Sequence, residues 1–550
     1  MLLTFSLNVR MCRADFAYIE RVSRPLSTNR QHMERYTRTL SISLMLCFFL
    51  VLSGHTQVQE QKMSSTIQFE LSFPKPDQHR FHVKMNIPAL SADSIVLKMP
   101  QWTPGYYQLM NYGALVEHFG ADRSVRFRMQ DDHTWIVYPE GQKEVQVVYD
   151  VKTDRKFVAK SWVDGQHAYI VSAGAFLYVQ DQLSRPVELA IKPARGWTDV
   201  ATGLDPTSDK YVFTAPDADI LYDCPLLLGK LESLPSFIVQ GIPHRFIGYQ
   251  LGDFNRKEFM ADLEKIVKAA TDIMGDIPYR EYSFIGIGPG MGGIEHLNNT
   301  TISFDGKGLS TTAGKLRMYN FLAHEYFHHY NAKRIRPVEL GPFNYEQGSR
   351  TNLLWINEGL TVYYEYLVLK KAGLTDEQTL LSSLSNNINA FENGPGKANQ
   401  SLAQASYETW SDGPFGRQGK DASRSISYYD KGPVIGLLLD LKIRQLTRNT
   451  RSLNDVMRAL YRQYYQTLRR GFTDAEFQQI CEKIAGESLT GFFEYVYTAK
   501  PIDYAPILLA AGLQLEITEG QQGKKIYQLI KASNPTPDQR AIYAGYMKGD

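Results

Sequence analysis

The stretch HEYFHHY, residues 324–330, brings His324, His328, His329 and Glu325 together. His324 and His328 are four positions apart, so on a helix they share one face, with Cβ atoms about 5–6 Å apart. Imidazoles at that spacing reach one zinc ion at about 2.0–2.1 Å. Glu325 then stands beside the metal, where it can take a proton from water. His329 lies one step round the helix and is a poor ligand. The competing reading is a polar patch on an amphipathic helix. It is disfavoured because an H-E-x-x-H match inside a helical sequence seldom arises by chance.

A catalytic zinc site takes three protein ligands and keeps the fourth position open. Glu358 in LLWINEGLTVYYEYL supplies the third, 30 positions after His328. A carboxylate in so apolar a segment needs a partner. Further on, SYYDKGPVIGLLLDL carries Tyr429, whose hydroxyl can donate to an oxyanion beside the metal; Tyr428 is the alternative. The glycines of GIGPGMGGIEHLNNTTISF suggest a phosphate loop at first sight. No G-K-[ST] follows, and the segment leads into a strand rather than a helix, so nucleotide binding is not indicated.

These residues need elements to hold them. KLRMYNFLAHEYFHHYNA reads as a helix with Met318, Phe321 and Leu322 turned inward. Trp355, Ile356, Leu360, Tyr363 and Tyr364 would pack a second helix beside it. FMADLEKIVKAATDIMG is a further helix that stops at Gly275, and Ser452/Asp455 and Thr473/Glu476 read as capping boxes. The second half is thus mainly helical, with EYSFIGIG as a strand-like insert. Before it, from about residue 65 to 234, apolar residues alternate, as in Phe81, Val83, Met85 and Ile87. That period, broken by turns such as PKPDQ, predicts an all-β domain, a sandwich or distorted barrel.

The 550 residues suffice for two or three domains. At 43% hydrophobic, 21% charged and net charge +2, the composition is that of a globular protein and excludes a dedicated nucleic-acid binder. The apolar run at residues 40–52 is short for a spanning helix, which needs about 20 residues. With Arg35 and Arg38 before it and small residues after, it reads as a secretory signal. The chain is therefore expected to be exported, to the periplasm or outside the cell, with no stable membrane insertion after cleavage; an uncleaved anchor is the lesser alternative. Of four cysteines, Cys12 and Cys47 fall in the leader, and Cys481 reads as helix core, so this is no disulfide scaffold. Expected limits are 1–32 for an upstream extension, 33–57 for the signal peptide, 64–238 for the β domain, 239–505 for the catalytic domain and 506–550 for a C-terminal segment.

The chain resembles the glycyl aminopeptidase family of zinc metallopeptidases, gluzincins with a thermolysin-like catalytic domain. The resemblance rests on QWTPGYYQLMNY, LYDCPLLLG, GGIEH, AHEYFHHYNAKRIRP, LWINEGLTVYYEY, and YYDKGPVIGLLLDLKIR with SLNDVMRAL, and covers roughly residues 65–510. GGIEH resembles the exopeptidase element in which a carboxylate on an edge strand captures the substrate's free α-amine. This implies substrate-binding roles for Gly292, Gly293 and Glu295, with Zn2+ on His324, His328 and Glu358. It implies peptides with a free N-terminus as substrates, and a preference for Gly or Ala there. The family often ends in a PDZ domain. PILLAAGLQLEI resembles its lead-in, but the middle is missing, so residues 506–550 are expected to form a short β/α remnant of a PDZ-like region without peptide-tail binding. The rival readings are a thermolysin-type endopeptidase and a peptide-binding protein with a vestigial site.

Overall fold

The structure, a computed structural model, describes residues 66–88 and 93–549, all within the unit Thr66–Asp550. The signal and upstream extension read at residues 1–57, with Cys12 and Cys47, lie outside the described residues. Among the described residues, no helix is long and apolar enough to cross a membrane.

The first part is mostly β. Arg80–Pro88 buries Phe81, Val83, Met85 and Ile87 and turns the residues between them outward, the period of two seen in the sequence. It is paired on both sides, by Ile67–Ser72 and Glu144–Lys152, inside a seven-stranded sheet. Two four-stranded sheets complete this part, one containing Ile95–Lys98 and one containing Leu226–Gly229. Strands of all three sheets contribute to one core, with Leu71, Val83, Leu97, Trp135, Tyr149 and Leu228 at its centre.

The helical part holds more β-structure than its sequence suggests. Beside Tyr282–Gly286 run Ile242–Gly248 and Asn299–Ile302, both parallel to it, and Gly293–Glu295 lies antiparallel at the edge. Ile242–Gly248 escapes a reading by hydrophobic period because its buried positions are His244, Phe246 and Gly248. Five helices build the rest of the site: α1 (Arg256–Met274), α2 (Thr312–Phe327), α3 (Leu360–Lys371), α4 (Glu377–Glu392) and α5 (Tyr428–Leu446). α1 is capped by Asn255, which accepts from Glu258 N, and ends on Gly275 in the left-handed region, as its sequence predicts. On α2, Leu322 is buried as expected, whereas Met318 and Phe321 are only half-buried, because Tyr319 takes the inward position.

α2 and α3 lie side by side, with the rings of Phe327 and Tyr364 stacked at 4.5 Å. Cys224 and Cys481 are buried and free. The C-terminal segment forms an antiparallel hairpin, Leu513–Glu519 with Lys525–Lys531, followed by the helix Pro537–Lys548. The hairpin is docked on α4: Asn389 bonds to both the N–H and the carbonyl of Tyr527, and Leu529 N donates to Ser385.

Candidate metal centre and active site

His324, Glu325 and His328 sit at the C-terminal end of α2, all buried. Each metal-seeking imidazole is oriented through its Nδ1. His324 Nδ1 donates to Glu365 Oε2 at 2.8 Å, and His328 Nδ1 to the carbonyl of Asn331 at 2.8 Å. Both Nε2 atoms are then left with lone pairs, and they face each other at 2.9 Å. Glu358 Oε2 lies 3.3 Å from His328 Nε2 and 3.6 Å from His324 Nε2. Ligands of a tetrahedral zinc at about 2.0–2.1 Å stand about 3.3 Å apart, and these three separations bracket that spacing. Two converging lone pairs and a carboxylate call for a shared cation, and this donor set suits a divalent metal.

The local electrostatics also call for positive charge. Burial would lower His324, but Glu358 and Glu365 hold it well above the usual histidine value. Glu358 is held below the carboxylate range despite its burial, by His328 and His324. Burial pushes the neighbouring Glu325 up to about 8, opposed by the two histidines and reinforced by Glu295 and Glu358. Glu325 Oε2 is buried without a hydrogen-bond partner. His329 points away into a pocket of Tyr279, Tyr282 and Tyr326, and burial with Arg334 alongside holds it neutral. It is no part of the cluster.

The remaining predicted residues arrive from the edge strand, the segment just before it and α5. Glu295 is buried on the edge strand, close enough to raise Glu325. Gly293 on that strand presses on Glu325: a Cβ there would stand 2.5 Å from the Glu325 Cδ. Gly292 forms the turn before it, in the left-handed region. From α5, Tyr429 donates its hydroxyl to Glu358 Oε2 at 2.8 Å. Tyr428 instead pairs with Thr409 at 3.1 Å, so Tyr429 is the tyrosine brought to the cluster.

Several supports were not read from sequence. Glu358 lies in a π-helical turn, Trp355–Gly359, before α3, a feature that recurs at functional sites. Gly359 in that turn meets Gly432 of α5 so closely that a Cβ on either would fall within 2.6 Å of the other's Cα. This contact lets Glu358 and Tyr429 meet. Glu365, seven residues after Glu358, is two helical turns on and shares its face. Asn331 donates to the carbonyls of Ile356 and Asn357 and to Thr361, tying the π turn to the end of α2. Asp223, in the LYDCPLLLG stretch, accepts from Lys333 at 2.5 Å and from Leu297 N at 2.7 Å, with His296 at 3.4 Å. It fixes the segment that follows Glu295. Periodicity cannot show such contacts between distant segments.

Residues 68–230 match the Peptidase M61 N-terminal domain and residues 317–435 match the M61 glycyl aminopeptidase domain. No curated protein sequence matches the chain. Among solved structures, the chain is similar to an aminopeptidase N family protein from Idiomarina loihiensis, with a TM-score of 0.77 and 25% identity, covering 82% of this chain and 80% of that one. An M1 zinc metallopeptidase from Deinococcus radiodurans, bound to a Tyr-Ser-Ala substrate, is similar at a TM-score of 0.50 and 14% identity, over 80% of this chain and 95% of that one. Yeast LTA4 hydrolase in complex with bestatin has the same TM-score and identity, 0.50 and 14%, over 81% and 70%. The last two show a shared fold alone. With two domains of one family matched in order, and a buried His–His–Glu cluster inside the second region, the chain belongs to the M61 glycyl aminopeptidase family and is a peptidase.

Proposed function

We propose that the chain is a zinc-dependent aminopeptidase that removes a small N-terminal residue, Gly or Ala, from peptides with a free amine. One observation carries this reading: the ligand atoms of His324, His328 and Glu358 all lie within 4.8 Å of one another, with a base, a hydroxyl donor and a further carboxylate around them. Zinc held there would supply Lewis acidity, acidifying water towards neutral pH and polarising a carbonyl. Glu325, buried and without a partner for Oε2, takes the proton of the attacking water and hands it to the leaving amine. Tyr429 donates to the oxyanion that develops on the scissile carbonyl. Glu295 binds the peptide ammonium, with Gly292 and Gly293 leaving room beside it, so that the chain is cut one residue in. The leader at residues 40–52 supports export to the periplasm or outside the cell. We assign residues 64–238 to the N-terminal domain, 239–505 to the catalytic domain and 506–550 to a PDZ-like remnant.

The test is a panel of aminoacyl-anilides from Gly and Ala to Leu and Arg, each with a free and an acetylated amine, assayed with and without chelator. Gly and Ala substrates with free amines are expected to be cleaved fastest, with activity lost to chelator. Glu295→Ala is expected to raise KM for free amines by at least tenfold. Equal cleavage of acetylated substrates would overturn the aminopeptidase reading.

A further inference from the structure

The motif QWTPGYYQLMNY is not accounted for by the metal centre. It forms a loop, residues 101–111, that follows Ile95–Lys98 of the β domain. The loop leaves its own domain: Trp102 and Tyr107 are buried in the core of the helical part, not in that of the β sheets. Three bonds hold it there. Gln101 N donates to Tyr345 O at 2.7 Å, Trp102 Nε1 to Asn344 O at 2.7 Å, and Gln108 Nε2 to Thr409 O at 2.7 Å. The edges of Trp102 and Tyr107 also meet Trp410, at 5.0 and 6.3 Å.

The tip of the loop lies against the site. Gly105 adopts φ +93°, and a Cβ on it would stand 2.8 Å from Ile294 Cγ2 and 2.9 Å from Glu295 Oε2. Two residues on, Tyr107 is buried against the rings of Trp102 and Trp410, with the Glu358 and Glu295 carboxylates as its charged neighbours. Tyr107 therefore stands next to both carboxylates. If Glu295 takes the peptide ammonium and Glu358 marks the metal that faces the scissile carbonyl, the distance between them is spanned by one residue, the first of the substrate. Tyr107, beside both carboxylates, would border that residue.

We propose that Tyr107, supplied by the N-terminal β domain, forms the wall of the pocket for the substrate's first side chain and sets its upper size limit. This rests on the aminopeptidase reading. An aromatic wall carried on a loop pinned at three points would favour a small side chain over a branched one, a discrimination of about 10- to 200-fold for a tight apolar pocket.

The test uses the full chain. On the wild type, Ala- and Leu-anilide turnover is measured first; failure to cleave any free-amine substrate would overturn the underlying reading and not this inference alone. In the Glu325→Gln background, which is expected to bind without turnover, calorimetry then gives Kd for Ala-Ala-Ala and Leu-Ala-Ala. Adding Tyr107→Ala is expected to shift the Leu-to-Ala affinity ratio at least tenfold towards Leu, and Tyr107→Phe, which keeps the ring, to leave that ratio within twofold. Tyr107→Ser serves as the second truncation if the alanine variant does not fold. A Leu-to-Ala ratio unchanged by truncation in a folded, metal-loaded protein would overturn the proposal.

Discussion

The two imidazole lone pairs that face each other at 2.9 Å are set up by what lies behind them. Glu365 and the Asn331 carbonyl take the Nδ1 protons, which fixes both tautomers and aims both Nε2 atoms at one point. Glu365→Gln keeps the shape but removes the charge that makes His324 a better donor. It is expected to weaken metal affinity about 10- to 100-fold, read by competition with a chromogenic chelator; unchanged affinity would remove Glu365 from the account. At this scale the sequence was informative where chemistry fixes spacing. His324 and His328 declare themselves four apart, and Glu358 stands out in an apolar run. Glu365 and Asn331 do not, because a hydrogen bond behind a ligand imposes no local pattern. The sequence favours Tyr429 and leaves Tyr428 as the alternative; the rotation of α5 puts Tyr429 on Glu358 and Tyr428 on Thr409.

The helices meet the site through very close backbone contacts. α5 can approach the π turn because neither Gly359 nor Gly432 carries a Cβ. Gly432→Val would force the two segments apart and carry Tyr429 away from Glu358. A loss of about 3 kcal/mol is expected from overpacking, seen as a lowered thermal midpoint, together with reduced metal content. A variant of normal stability and full metal content would show that the contact is not needed. Helix α1 with its glycine stop was legible, as was the alternation of the first β strands, because both are local periodicities. The π turn was not: LLWINEGL has an ordinary helical pattern, and tertiary packing widens it. The strand Ile242–Gly248 was hidden for the opposite reason, since a histidine and a glycine fill two of its buried positions.

Across the whole molecule, the β domain does more than flank the catalytic part. Asp223 follows its short helix Ala218–Tyr222 and pairs with Lys333, just after α2, and with Leu297, just after Glu295. Although burial opposes it, Lys333 and His296 hold its carboxyl down at about 2, below the ordinary 3.8. A carboxyl lowered on folding stabilises the fold above its unfolded value and loses that contribution as pH falls towards its folded value. Asp223→Asn is therefore expected to cost about 2 kcal/mol at neutral pH, with the difference from wild type shrinking between about pH 4 and 2, and to raise KM for peptides. A difference that does not narrow on acidification would contradict the ion-pair assignment. The two-part organisation was visible in the sequence as a change of period near residue 250, but the reach of the β domain into the site depends on folding alone.

The central claim is that one divalent ion is held by His324, His328 and Glu358, with Glu325 beside it but not bound to it. The most direct measurement is the zinc content per chain of the purified wild type, Glu325→Gln and Glu358→Gln, compared after identical dialysis. The account predicts one zinc in the first two and nearly none in the third. Equal zinc in all three, or none in the wild type after zinc is supplied, would contradict it.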